Sequence, residues 1–285
     1  MRSGYSGKFI MPELPEVETV MRGLAAKLEG RRIARLSLAR TDLRWTVPDG
    51  FVQAVAGARV AGFRRRGKYM FMRLDRGVSV LIHLGMSGRM TIDQEPVAHQ
   101  HLTIETEEGA VIGFVDPRRF GALDLVDTSA EDAHRLIAPL GPEPLEPAFD
   151  AAVLGATLAG KATSIKAALL DQSVVAGLGN IYVSEALFRA EISPRRLAGK
   201  LGAARVKKLV PAIKATLTEA IAAGGSSLRD YAQPSGELGY FQHAWKVYGR
   251  AGAPCERCPG PPACTGIVRS VQSNRATYAC PRTQR

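Results

Sequence analysis

No run of about eighteen apolar residues occurs anywhere in the 285-residue chain, which argues against a membrane-spanning helix. The first ten residues also lack the apolar core of a secretory leader, so a cytoplasmic location is expected. Cysteine is absent until position 255, and all four cysteines fall at 255, 258, 264 and 280. Clustered thiols in a chain with no secretory signal point to metal rather than to a disulfide framework. Negative charge is in short supply: 27 acids stand against 38 lysines and arginines, a formal +11 with a pI near 9.8. That balance favours a polyanionic partner, nucleic acid first, although a merely solvated basic surface would read the same way. No dinucleotide-type glycine motif opens a helix. The apolar fraction, 46%, is ordinary for a globular protein, and the length allows two domains with real cores.

The patterning changes once along the chain. After a first helix that Gly30 can stop, segments 32–40, 60–65, 68–74, 78–84, 101–105 and 110–115 read as short strands. Asp75-Arg76-Gly77 and Glu107-Glu108-Gly109 supply hairpin turns. Several strands behind one leading helix favour a β-sandwich over alternating βαβ units. A proline-dense linker, 139–149, then marks a domain boundary. Beyond it the apolar period turns helical over 150–159, 164–172, 181–190 and 203–223. The expected architecture is therefore α+β, with an amino-terminal domain over 11–138, a helical domain over 150–245 and a cysteine-bearing tail over 246–285.

The stretch Met11-Pro12-Glu13-Leu14-Pro15-Glu16-Val17-Glu18-Thr19 reads as a chain start. Residues 1–10 would then be a leader or a misassigned start. Trimming of Met11 leaves Pro12 with a free secondary amine, and an α-amino group has a pKa near ~8, so part of it is neutral and nucleophilic at physiological pH. Such an amine attacks an aldehyde-like carbon to give an iminium directly, and Glu13 beside it can move a proton. The simpler reading is a helix start: Pro15 in the first turn, early glutamates at the positive end of the dipole, and Val17, Val20, Met21, Leu24 and Leu28 as one apolar stripe. Both readings can hold at once.

The wording of this motif, with Arg65-Arg66-Gly67-Lys68 downstream, resembles the amino-terminal signature of formamidopyrimidine-DNA glycosylases, bacterial-type base-excision repair enzymes. The resemblance runs from Met11 to the carboxyl terminus. It implies an N-terminal β-sandwich with flanking helices and a C-terminal helix-two-turns-helix domain ending in a zinc-finger-like β-hairpin, with DNA in the cleft between domains. It further implies excision of oxidised purines such as 8-oxoguanine from duplex DNA, followed by strand cleavage through β,δ-elimination. Pro12 is then the nucleophile, with Glu13, Glu16, Lys68 and Arg275 in the catalytic site. A monomer acting on damaged double-stranded DNA, with no membrane association, is expected. Two rivals stand beside it: an endonuclease VIII-like enzyme for oxidised pyrimidines, and a non-catalytic lesion-binding protein if residues 1–10 are retained.

Further residues take roles by the same likeness. Met86 in Leu84-Gly85-Met86-Ser87-Gly88, and Arg118 and Phe120 in Asp116-Pro117-Arg118-Arg119-Phe120-Gly121, sit among glycines that favour tight loops. From spacing alone the Met and Phe are core; as protruding groups they suit a DNA wedge, which fills the gap left by an unstacked base. They match the family's intercalating residues, Arg119 looks like a phosphate contact, and either His99 or His101 matches a phosphate-contacting histidine. Gly177-Leu178-Gly179-Asn180 before a helix offers backbone N–H groups to one phosphate, or else a plain cap after a glycine turn. Asn180 and Lys166 match DNA-contacting positions. Loop 224–240 resembles the segment that closes over the everted base. In the tail, Cys255-x-x-Cys258 is half of a zinc pattern whose fourth cysteine would fall at 283, where Thr283 stands. Cys264, in an insertion, is the replacement expected, giving one structural zinc ion on Cys255, Cys258, Cys264 and Cys280.

Overall fold

A computed structural model describes residues 11–226 and 239–285. The chain divides into two units. Among the described residues, the first comprises 11–12, 16–134, 224–226 and 239, and the second comprises 13–15, 135–223 and 240–285.

In the first unit, α1 (Leu14–Leu28) leads into β1 (Ile33–Leu38), a short α2 (Phe51–Val55), then β2 (Val60–Arg66), β3 (Tyr69–Leu74), β4 (Val78–His83), β5 (Arg89–Ile92), β6 (Gln100–Thr106), β7 (Val111–Val115) and β8 (Ala122–Asp127). The strands form two four-stranded sheets, ordered β1-β6-β7-β5 and β2-β3-β4-β8, with every pairing antiparallel. This is the expected β-sandwich. Its core joins Val17, Val20, Leu24 and Leu28 of α1 to inward residues such as Met70, Val80, Ile104 and Phe114. The helical stripe thus buries itself against the sandwich, since apolar side chains at three- and four-residue spacing share one face. Sequence patterning missed β5, β8 and α2. The first and last of these run only four and five residues, too short for a period to show.

The second unit contains α3 (Ala151–Leu158), α4 (Ile165–Leu170), α5 (Asn180–Arg189), α6 (Ala203–Ala222) and the hairpin of β9 (Val268–Gln272) and β10 (Arg275–Ala279). Asp150 and Ser164 cap α3 and α4 through side-chain oxygens that accept from Val153 and Ala167. Ser273 and Asn274 both take positive φ, 47° and 58°, which makes the two-residue turn that hairpin twist favours.

The basic run at the β2–β3 hairpin is less exposed than a solvated turn. Arg65 donates to Glu18 at 2.7 Å, and Arg64 and Arg73 both reach the buried Glu131, at 2.9 and 2.6 Å. Burial pushes the Glu131 carboxyl up, but hydrogen bonds from Arg73, Ser79 and Arg64 override it and hold the pKa at about 2. A depressed carboxylate pKa stabilises the fold above its ordinary value of 4.5, and that contribution is lost as pH falls towards 2. Glu131→Gln is expected to cost about 2 kcal/mol at pH 7. Chemical denaturation of both proteins from pH 7 down to 2.5 checks this: the gap should close below pH 4.5, and a gap independent of pH would contradict the assignment.

Candidate nucleic-acid and catalytic site

Glu13 and Leu14 of the Met11–Thr19 motif are fastened to the turn before α5 and to its first residues. Leu14 N–H donates to Gly177 O at 3.0 Å, while the Glu13 carboxylate accepts from Ile181 N–H (3.0 Å) and Tyr182 N–H (3.3 Å), the first turn of α5. Glu13 is 2% exposed. Its negative charge lies at the positive end of the helix, the favourable end of the dipole. The glycines of the turn are there for space. A Cβ on Gly179 would stand 2.2 Å from Glu13 Cδ, and one on Gly177, whose φ is +85°, would stand 2.6 Å from Leu14. The expectation that these helix N–H groups wait for a phosphate is therefore corrected: an internal carboxylate already occupies those of Ile181 and Tyr182.

Asn180 turns elsewhere. Its Nδ2 donates to Ala276 O at 3.0 Å, and its buried Oδ1 has no hydrogen-bond partner among the described residues. Lys166 converges on the same carbonyl at 2.7 Å and also reaches Thr277 Oγ1 at 2.7 Å. Two side chains thus clamp the backbone next to Arg275, whose own side chain is exposed at the hairpin turn. Burial, then the charge of Arg275, pulls the Lys166 pKa from 10.5 down to about 8. Glu185, which the sequence reading passed over, accepts backbone N–H from Lys246, Val247 and Tyr248 at 2.8–3.0 Å and so ties that segment to α5. Burial raises its pKa.

In the first unit Glu16 is buried and accepts from Ser226 N–H at 2.8 Å, which fixes the start of the loop after α6; the rest of that loop, 227–238, lies outside the described residues. Met86, Arg118, Arg119 and Phe120 come together with Arg44 around one open cavity of about 710 Å³. Phe120 is 41% exposed and the Arg118 guanidinium lies 4.6 Å from its ring centre. Asp116, fully buried, organises these loops by accepting from Ser87 Oγ (2.6 Å), Gly121 N–H (2.7 Å) and Arg118 N–H (3.3 Å). The 85 and 120 loops touch so closely that a Cβ on Gly85 would meet the Phe120 backbone at 2.4 Å. Arg119, at φ 56°, pairs with Asp42 at 2.6 Å.

The two histidines separate clearly. His101 is buried and its Nε2 bonds Asp116 O at 2.8 Å, a structural post, while His99 is exposed. A third histidine, His83, was not singled out from the sequence. It stacks on Tyr69 next to Lys68, with ring centres 4.7 Å apart, and its buried Nδ1 has no partner among the described residues. Burial, Arg44 and Lys68 lower its pKa to about 4, so the ring is neutral at physiological pH.

In the tail, the Sγ atoms of Cys255, Cys258 and Cys280 lie within 4.8 Å of one another, and Cys264 Sγ is 3.5 Å from that of Cys280. The sulfurs are free thiols on the inner side of a small loop-and-hairpin cluster. Soft sulfur donors at this separation fit a tetrahedral zinc ion, whose Zn–S bonds of about 2.3 Å set sulfurs roughly 3.8 Å apart.

An antiparallel sandwich led by a Pro-Glu helix start, and a helical unit ending in a cysteine-anchored hairpin, define an α+β protein built to present basic loops. The family model of the formamidopyrimidine-DNA glycosylase N-terminal domain matches residues 11–123, and that of the formamidopyrimidine-DNA glycosylase H2TH domain matches 140–232. The chain is 79% identical over 275 residues to the formamidopyrimidine-DNA glycosylase of Acidiphilium cryptum, covering 96% of this chain and all of that protein. That of Jannaschia sp. is 54% identical over 286 residues, with 96% of this chain and all of that one covered. Among solved structures, the MutM (Fpg) protein of Thermus thermophilus is 38% identical at a TM-score of 0.85, with 96% and 98% of the two chains covered. The Lactococcus lactis Fpg in complex with abasic-site DNA is 33% identical at 0.86, with 96% and 99% covered. The chain belongs to the formamidopyrimidine-DNA glycosylase family.

The Lys166 geometry has a measurable sign. A lysine whose folded pKa lies below its ordinary value opposes folding while charged, and the penalty fades as pH rises from about 8 to 10.5. Relative to Lys166→Met, the native protein should gain a few degrees in melting temperature across that window. Differential scanning calorimetry at pH 7.5, 9 and 10.5 tests this, and a constant difference would contradict it.

Proposed function

We propose that this chain is a bifunctional DNA glycosylase and AP lyase that removes oxidised purines, 8-oxoguanine and formamidopyrimidines, from duplex DNA in the cytoplasm, acting as a monomer. The observation that carries the reading is the pinning of Glu13: the residue after the nucleophile is held by two backbone N–H groups. Pro12 nitrogen attacks C1′ of the damaged nucleotide as the bond from C1′ to the base breaks, and the electron pair leaves with the base, which takes up a proton. Glu13 takes the proton that the Pro12 nitrogen loses on bonding C1′ and passes it to the sugar ring oxygen as the ring opens to the iminium. The iminium acidifies the C2′ hydrogen; its removal expels the 3′ phosphate, a second elimination expels the 5′ phosphate, and water releases the sugar remnant from Pro12. Glu16 holds the edge of the pocket through Ser226.

Eversion of the lesion leaves a gap in the stack. Met86 and Phe120 fill it, and Arg118, lying over the Phe120 ring, faces the orphaned base. Lys68, His99, Arg119, Asn180 and Arg275 grip phosphates; Arg119 exchanges Asp42 for a phosphate, and Lys166 braces the hairpin that carries Arg275. His101 acts through the carbonyl of Asp116 rather than by touching DNA. One zinc ion on the tail cysteines has a structural role only, holding the hairpin, and takes no part in the reaction.

The chemistry requires Pro12 as a free amine, and in the chain as written Met11 makes it a tertiary amide. Borohydride reduction on an 8-oxoguanine duplex, read by intact mass, compares protein beginning at Pro12 with protein keeping residues 1–10. The first should form a covalent adduct. The second should bind the duplex with similar affinity and form none, which is the non-catalytic lesion-binding behaviour. Equal adduct from both would overturn Pro12 as the nucleophile.

A further inference from the structure

The four cysteines share a feature that buried thiols do not need. Arg257 N–H points at Cys255 Sγ (3.4 Å), the backbone of Gly260 at Cys258, and Gly266 N–H at Cys264 Sγ (3.4 Å). In each case the donor is two residues beyond the sulfur. Cys280 Sγ accepts from Thr283 N–H at 3.4 Å. Cys264 therefore sits in the same local backbone setting as the Cys-x-x-Cys pair, although it lies outside that motif. A free cysteine buried as a small apolar side chain is the ordinary case, and it has no call on an amide donor. Amide N–H groups aimed at sulfur favour the thiolate, the form a metal binds.

Position also favours Cys264. Its Sγ lies 3.5 Å from that of Cys280, one corner of the Cys255, Cys258 and Cys280 triangle, though not within 4.8 Å of all three sulfurs. It is buried, at 4% exposure. Thr283 is close as well, but its Oγ1 lies 3.3 Å from Cys255 Sγ, at hydrogen-bond distance to that sulfur. Between a neutral hydroxyl and a thiolate, zinc takes the thiolate.

Resting on the structural zinc ion proposed above, we infer that Cys264 supplies the fourth thiolate, and that Thr283 acts on the site from outside by donating its hydroxyl to Cys255. Three ligands then come from the ten-residue loop 255–264, and Cys280 alone comes from the strand that follows Arg275. The ion closes the loop on itself and holds the end of β10 by one bond. Four thiolates and one zinc carry a net double negative charge, which the four amide donors and the Thr283 hydroxyl offset.

Cobalt(II) titrated into the metal-free full-length chain is the probe, because the sulfur-to-cobalt charge-transfer band grows with each thiolate bound. The wild type should show a four-thiolate spectrum and Cys264→Ser should lose about a quarter of the band, one ligand in four. Thr283→Val should keep the full band with cobalt and zinc affinity reduced about tenfold. The double variant Cys264→Ser, Thr283→Cys should regain the band, which keeps the test sound if the single variant folds poorly. An unchanged band in Cys264→Ser, or no recovery in the double variant, would overturn the ligand assignment alone. No charge-transfer band in the wild type would overturn the zinc reading itself.

Discussion

Two hydrogen bonds from the first turn of α5 to the Glu13 carboxylate hold this site together, because they join the Pro-Glu motif to a helix whose first residue, Asn180, lies 167 residues further on in sequence. The carboxylate satisfies two of the orphan N–H groups that any helix start leaves, and the helix in turn removes the rotational freedom of Glu13. Gly177 and Gly179 are small because Leu14 and Glu13 fill the space where their side chains would be. The same pair of residues, 13 and 14, belongs with the helical unit while Pro12 and α1 from Glu16 onward belong with the sandwich.

Buried carboxylates recur as loop fasteners. Glu16 takes Ser226, Asp116 takes Gly121 and Arg118, and Glu185 takes three consecutive amides from 246 to 248. In a chain of net charge +11, acids placed indoors on backbone N–H groups do not repel a polyanion at the surface. Each also settles several backbone donors that irregular loops leave without helix or sheet partners. The loops that carry Met86 and Phe120, the hairpin and the segment around Glu13 are thereby fastened without being made apolar.

Much of this was legible from residue order. The Pro-Glu stretch, the glycine turn before α5 and the Met86 and Phe120 loops stood out through the family resemblance, since by residue type alone each also fits a helix start, a plain cap or core packing; the clustered cysteines stood out by spacing. The helix and most of the strands followed from period and turn chemistry; β5 and α2, at four and five residues, escaped because elements so short carry no period, and the six-residue β8 escaped as well. What sequence could not give was the pairing of distant groups. The amides after Gly179 looked open to phosphate because their occupant, Glu13, comes from the far end of the chain. His101 and His99 look alike on paper, and burial alone separates a post for Asp116 from an exposed ring. Asp116 did leave a trace, since an aspartate two residues before Arg118 can bond that amide as a local turn. Glu185 left another: an acid inside the fully buried run from Ile181 to Phe188 requires partners.

The account rests on Glu13 being held in place by the α5 turn, and the single-turnover rate of 8-oxoguanine excision by Gly179→Ala protein tests that most directly. The added methyl group would lie 2.2 Å from Glu13 Cδ, so the carboxylate must move off the helix start. The account predicts a loss of excision of about a hundredfold or more, on the scale of removing a proton donor, with folding and duplex affinity kept. Excision at the wild-type rate would contradict it, and would mean that the position of Glu13 is immaterial to the chemistry at Pro12.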